Sequence, residues 1–194
     1  MTNVRLTDKD ALIVVDVQKD FIPGGKLPVP NGDKVIPVTN SYIEIFHRNK
    51  LPIFATRDWH PSGHCSFKDY GGEWPLHCVA STAGAGFAPG LNLPEDVCII
   101  SKGLEKDRDA YSGFQGTDLD DRLRSLDIKR LFIGGLALDV CVLSTVRDAL
   151  DLGYQAFLLT DASRAVNVHE GDGDKAIDTM LALGASITGL EQLA

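Results

Sequence analysis

The sequence predicts an α/β protein with an open, mostly parallel sheet of about six strands and helices on both faces. Three observations lead there. Short, continuous apolar runs alternate with stretches of helical periodicity. Several of those runs stop at a charged residue or a glycine pair, as strands of a sheet covered on both faces do when they reach its rim. No apolar run approaches the roughly 20 residues of a membrane span.

The elements follow in order. Residues 11–16 are an apolar run ending in a carboxylate, which predicts a strand with Asp16 at its C-terminal end. A Gly- and Pro-rich loop over 23–33 leads to Val35, Val38, Tyr42, Ile45 and Phe46, spaced as one face of a helix. Residues 52–57 form a second strand. The region 58–94 has little periodicity, and an irregular connection of that length inside a domain is usually functional. Residues 97–102 give a third strand with Lys102 at its end. Leu119, Leu123 and Leu126 mark a helix, and a strand begins at Arg130. That strand runs into Gly134 and Gly135, after which Cys141, Leu143, Val146, Ala149 and Leu150 recur at helical spacing, with Asp139 as the expected helix start. A strand over 154–159, a helix over 175–183 and a short strand over 185–188 complete the pattern.

The 194 residues carry no composition shift or linker, so one domain over 1–194 is expected. Residues 1–10 are polar and lead straight into a strand, which argues against a signal peptide and for a cytoplasmic protein. A net charge of -8 argues against nucleic acid or an anionic membrane as partner. Four scattered cysteines read as reduced thiols or ligands, not as a disulfide framework. The oligomeric state stays open, a homo-oligomer included.

In open parallel sheets ligands collect outside the carboxyl ends of the strands. Asp16, Asp58, Lys102 and Cys141 all fall at such ends. A cysteine in the first turn of a helix sits among unpaired N–H groups at the positive end of the dipole, which favours thiolate. Asp16 can then take the thiol proton, Cys141 can act as nucleophile, and Lys102 can steady the developing charge. The backbone amides of Ala137 and Cys141 are candidates for an oxyanion hole. For each residue alone the ordinary alternative is a buried core thiol or a surface ion pair.

A second set lies in the irregular region. Asp58 and His60, two apart in an extended segment, project to one side and can share a metal, with His77 as third ligand. Two imidazoles and one carboxylate leave coordination positions open, as in a reactive site. His64 is a fourth ligand or a group behind the ligands. A structural zinc using Cys65 and Cys78 competes poorly, because each follows a histidine directly. Phe21, Trp74 and Tyr111 supply flat apolar walls suited to a flat ring, whereas Phe114 reads as core and His47 and His169 as solvent-facing.

Taken together, Asp16-Val17-Gln18 with Phe21, Asp58-x-His60-Pro61-x-x-His64, Trp74-Pro75-x-His77-Cys78, Lys102-Gly103, Tyr111-Ser112-Gly113-Phe114 and Ala137-x-Asp139-x-Cys141-Val142 resemble the nicotinamidases and pyrazinamidases of the isochorismatase-like cysteine hydrolase superfamily. The resemblance covers nearly the whole chain. It implies hydrolysis of nicotinamide to nicotinate and ammonia through a cysteine acyl-enzyme, with pyrazinamide as a second substrate and a role in NAD salvage. It also implies Cys141 as nucleophile, Asp16 as proton carrier, Lys102 as their cationic partner, Asp58, His60 and His77 as ligands of one divalent metal, and Phe21, Trp74 and Tyr111 around the ring. Zinc leads, with iron or manganese as alternatives. A cis peptide between Leu136 and Ala137 is a further implication. Another amidase or ureido hydrolase of the superfamily, or a catalytically inert metal-dependent binding protein, are the competing functions.

Overall fold

The computed structural model describes residues 3–193. Six strands, β1 (Asp10–Val15), β2 (Ile53–Asp58), β3 (Cys98–Lys102), β4 (Arg130–Leu136), β5 (Gln155–Arg164) and β6 (Ser186–Thr188), form one sheet in the order β3-β2-β1-β4-β5-β6. Every pairing between them is parallel. The expected sheet, described as mostly parallel, is therefore parallel throughout its named strands. Strand order reverses between β1 and β4, and the crevice at such a reversal is where doubly wound sheets bind ligands.

Four helices, α1 (Val35–Arg48), α2 (Leu119–Ser125), α3 (Leu143–Asp151) and α4 (Asp172–Ala182), cover the two faces. The period-2 alternation of β1 divides the core. Leu12 and Val14 pack with Val35, Tyr42, Ile43 and Phe46 of α1 on one side. Ala11, Ile13 and Val15 pack with α2, α3 and α4 through Leu123, Val146, Ala149 and Met180 on the other. Burial on both faces explains why the strands read as continuous apolar runs.

Two boundaries differ most from expectation, while α4 begins three residues early, at Asp172, and other ends shift by a residue. The fifth strand runs on to Arg164, five residues past the end of its apolar run, because an irregularity opposite Gly134 lets Leu158 pair with Ile133 and Ser163 pair with Gly135. Ser163 Oγ secures that detour by donating to the Leu159 carbonyl at 2.8 Å and accepting from the Gly135 amide at 3.2 Å. The helix that carries Cys141 does not start at Asp139 as a capped α-helix. Leu138–Val142 is a turn of π geometry, with Val142 N–H reaching the Ala137 carbonyl at 3.1 Å, and α3 begins only at Leu143. Asp139 instead accepts from the amides of Val166 and Asn167 at 2.9 and 2.8 Å and ties this turn to the segment after β5. Among the described residues no helix is long and apolar enough to cross a membrane.

Candidate active site

The carboxyl ends of β1 to β4 converge on one buried cluster. Asp16 follows the last residue of β1 and adopts a left-handed backbone, with φ of 49°. Its Oδ1 accepts from Thr56 Oγ1 at 2.6 Å, and its Oδ2 lies 3.0 Å from Lys102 Nζ but off the line of a hydrogen bond, so that this oxygen lacks a donor among the described residues. Lys102, at the end of β3, is fully buried. Its ammonium bonds Asp58 Oδ1 at 2.5 Å and the Ala110 carbonyl at 3.1 Å, and stands 3.6 Å from Cys141 Sγ. Carboxylate oxygens of Asp16 and Asp58 and the Cys141 sulfur all lie within 4.8 Å of one another.

Burial and charge compete at every member of this cluster. Burial, reinforced by the nearby Asp58 carboxylate, raises the Asp16 carboxyl above its ordinary range against the pull of Lys102. Burial alone would raise Asp58 too, but Lys102 and the adjacent imidazoles outweigh it and hold that carboxyl low. For Lys102 burial is outweighed by Asp16, Asp58 and Cys141, so the ammonium stays charged. The Cys141 thiol is pushed well up by burial, with Lys102 opposing and the two carboxylates adding to the rise. The direction is opposite to the one expected from the helix terminus alone. The helix terminus is the weaker influence here, because the sulfur is buried beside two anions. Such a thiol needs a base when it attacks, and the donor-free oxygen of Asp16 is the one at hand.

Next to this cluster, Asp58 turns its other oxygen to two histidines. Oδ2 is 3.6 Å from His60 Nε2 and 3.9 Å from His77 Nε2. His60 Nδ1 pairs with the Gly103 carbonyl at 3.1 Å and His77 Nδ1 with the Pro75 carbonyl at 2.7 Å. A carbonyl only accepts, so both Nδ1 atoms carry hydrogen and both Nε2 atoms are free to ligate. With ligand atoms of all three residues within 4.8 Å of one another, the group fits a divalent metal and leaves positions for water or substrate. Gly103 is part of the fit: with φ of +65°, it brings its backbone so close to the His60 ring that a Cβ would overlap Cε1 and Nδ1.

His64 is not placed to be a fourth ligand. Its Nε2 donates to the Arg108 carbonyl at 3.1 Å, while Nδ1 faces Ser66 Oγ at 2.7 Å and accepts the Ser66 amide at 3.2 Å. The ring lies stacked on His60, centroids 4.1 Å apart, and backs that ligand. Among the described residues neither Cys65 nor Cys78 joins a metal-binding group. His47 and His169 are exposed, with 59% and 82% of their side-chain surface open, and Phe114 stacks on Tyr154.

Above the sulfur opens a cleft with mostly apolar walls and a few convergent polar groups, the usual make-up of a small-molecule site. Phe21, Trp74 and Tyr111 all line it, together with Asp58, His60, His77, Ala137 and Cys141. Trp74 Nε1 donates to Tyr111 Oη at 3.1 Å and so fixes two walls at once. The Leu136 to Ala137 peptide is cis. The amides of Val140 and Val142 both turn to the Ala137 carbonyl, which leaves those of Ala137 and Cys141 outside these two bonds. Sequence reasoning missed Thr56, the donor to Asp16, and the contributions of Leu27, Val29, Val140 and Val166 to the cleft. Asp109 also reaches it, from a charged loop whose composition marks only surface.

Residues 10–192 match the Isochorismatase domain family. The chain belongs to that family. This isochorismatase-family chain is 38% identical to the nicotinamidase of Escherichia coli strain K12, over 91% of its own length and 93% of the relative's. It superposes on the pyrazinamidase of Pyrococcus horikoshii in complex with zinc with a TM-score of 0.90, at 49% identity over 94% of this chain and 99% of that one. With PnC1 from L. infantum in complex with nicotinate the TM-score is 0.91, at 33% identity over 99% and 98% of the two chains.

Proposed function

We propose that this chain is a nicotinamidase, hydrolysing nicotinamide to nicotinate and ammonia, with pyrazinamide as an alternative substrate, and that one domain over residues 1–194 does so. The observation that carries the reading is the position of Lys102, which touches Asp58 of the metal group while facing both Asp16 and Cys141. Nucleophile, base and metal group are thereby one connected unit at the floor of an aromatic cleft. The E. coli relative and the zinc-bound and nicotinate-bound structures support the substrate class. The product is the acid form used in NAD salvage.

In this reading the pyridine ring lies between Phe21, Trp74 and Tyr111, with its carboxamide over Cys141. Sγ attacks the carboxamide carbon as its proton passes to Asp16 Oδ2. The amides of Ala137 and Cys141 hold the oxyanion. Asp16 returns the proton to nitrogen, the C–N bond breaks, and ammonia leaves a thioester on Cys141. Water then attacks the thioester, giving its proton to Asp16, and the C–S bond breaks as the sulfur takes that proton back. Lys102 holds its charge throughout and keeps Asp16 oriented. Asp58, His60 and His77 would hold the divalent metal, zinc first among the candidates, which supplies a Lewis-acid anchor for the ring nitrogen.

The test is ammonia release from nicotinamide by the purified protein, before and after treatment with a chelator and with zinc, iron or manganese restored. Turnover lost on chelation and regained with metal is expected. Folded, metal-loaded protein that releases ammonia from a ureido compound but none from nicotinamide would overturn the assignment.

A further inference from the structure

The segment that leaves β1 does more than deliver Asp16. Gln18 is completely buried, and its carboxamide brackets the peptide unit of the metal-group residue Asp58: Oε1 accepts from the Asp58 amide at 2.8 Å while Nε2 donates to the Asp58 carbonyl at 2.9 Å. The second Nε2 hydrogen goes to the Ala85 carbonyl at 2.9 Å, so both donors of the carboxamide are engaged. Two residues on, Asp20 is also buried. Its Oδ2 accepts from the Cys78 amide at 2.8 Å and its Oδ1 from the Lys26 amide at 3.3 Å. Cys78 directly follows His77 and has a left-handed backbone, with φ of 44°, so the Asp20 bond falls where the His77 segment turns.

No lysine or arginine pairs with Asp20 among the described residues, although a buried carboxylate is costly without a cation. Gly84 lies flat against it, close enough that any Cβ would overlap the carboxylate. A buried side chain whose oxygens both accept from backbone amides, with a glycine packed flat against it, serves to hold backbone.

We infer that Gln18 and Asp20 are positioning residues that set the spacing of the metal ligands, Gln18 through the backbone of Asp58 and Asp20 through the turn after His77. Neither touches substrate or a ligand atom. The strand exit that carries the proton acceptor thus also aligns the two ligand-bearing segments, from which it is far removed in sequence. The inference rests on the metal group assigned under the proposed function. It predicts a separable defect: loss of metal affinity with the nucleophile's surroundings intact.

The experiment measures Zn²⁺ affinity of the full-length protein by competition with a chromogenic chelator. In parallel, iodoacetamide labelling of Cys141 in chelator-treated protein is followed by peptide mass spectrometry. Gln18→Ala and Asp20→Ala should each weaken Zn²⁺ binding about 10- to 100-fold, the usual effect of losing an outer partner of a metal site. Their Cys141 labelling rates should stay close to the parent's. Asp20→Asn, which keeps an oxygen for the Cys78 amide, should recover part of the affinity. Should the alanine variants fail to fold, Asp20→Asn and Gln18→Glu carry the comparison, because Gln18→Glu keeps the acceptor and loses both donors. Variant affinities within about threefold of the parent would overturn the inference, being well short of the loss expected for an outer partner. So would Cys141 labelling that accelerates as far as affinity falls, which is general loosening. A parent that binds no Zn²⁺ would instead overturn the metal group itself, and this inference with it.

Discussion

Lys102 Nζ lies 2.5 Å from Asp58 Oδ1, and through this one buried ion pair the Asp16 and Cys141 side chains are joined to the Asp58, His60 and His77 group. The same ammonium also faces Asp16 and Cys141.

Replacing Lys102 by Met should therefore cost both stability and activity. It strands Asp16 and Asp58 as neighbouring buried carboxylates, and breaking a buried pair by removing one partner destabilises by about 3–5 kcal/mol. Urea unfolding monitored by far-UV circular dichroism should show that loss. A variant as stable as the parent would mean the carboxylates do not depend on the ammonium.

Cys141→Ala should abolish ammonia release, by at least about 10³-fold, while leaving the fold and the aromatic cleft in place. Ligand binding is best followed through the fluorescence of Trp74, which lines the cleft. Turnover near the parent rate would remove Cys141 from the mechanism.

The pH profile should report Asp16. Proton acceptance needs its carboxylate, and burial raises the carboxyl, so activity is present above the raised value and falls as pH drops through it. The acid limb of kcat/KM should accordingly lie above the ordinary carboxylate value of about 3.9. Asp16→Asn should lose the bulk of its activity along with that limb. An acid limb at or below the ordinary value would show that Lys102 outweighs burial.

Gly103→Ala should injure the metal group without touching a ligand. The new Cβ overlaps the His60 ring and meets a positive φ, which together cost at least about 1 kcal/mol and displace the imidazole. Metal content after dialysis should fall, and added metal should restore part of the activity. Unchanged metal content would show that the Gly103 backbone can move aside.

Tyr111→Phe removes the acceptor of the Trp74 N–H and should raise KM for nicotinamide more than it lowers kcat, since leaving such a donor unpaired costs about 1–3 kcal/mol. A drop in kcat alone would place Tyr111 in the chemistry and not in the wall.

What was legible from sequence was local. An apolar run ending at Asp16, an Asp-x-His step at Asp58 and His60, and helical spacing after Cys141 are patterns within a few residues of one another, and backbone periodicity writes them directly. What was illegible depends on partners that only the fold supplies. Asp139 looks like a helix cap until Val166 and Asn167 arrive to use its oxygens. His64 reads equally as a fourth ligand or as a group behind the ligands until Arg108 and Ser66 occupy both nitrogens. The surroundings of Cys141 are hidden in the same way: its helix position is visible in sequence, whereas the two carboxylates that help burial push its thiol up come from other strands. The extension of β5 to Arg164 was hidden for a related reason, since a mid-strand irregularity leaves no mark on hydrophobic pattern.

Asp16, Asp58, Lys102 and Cys141 come from the ends of four strands that lie side by side as β3-β2-β1-β4. Cys141 stands last among them along the chain, so during synthesis it emerges only after its three partners have been made. Until β4 docks against β1, the sulfur is an ordinary thiol in an unfolded polypeptide, with no aligned base beside it. The pairing of Cys141 with a base is thus a property of the finished sheet, and a half-made or partly unfolded chain carries the thiol without the partner that would direct it.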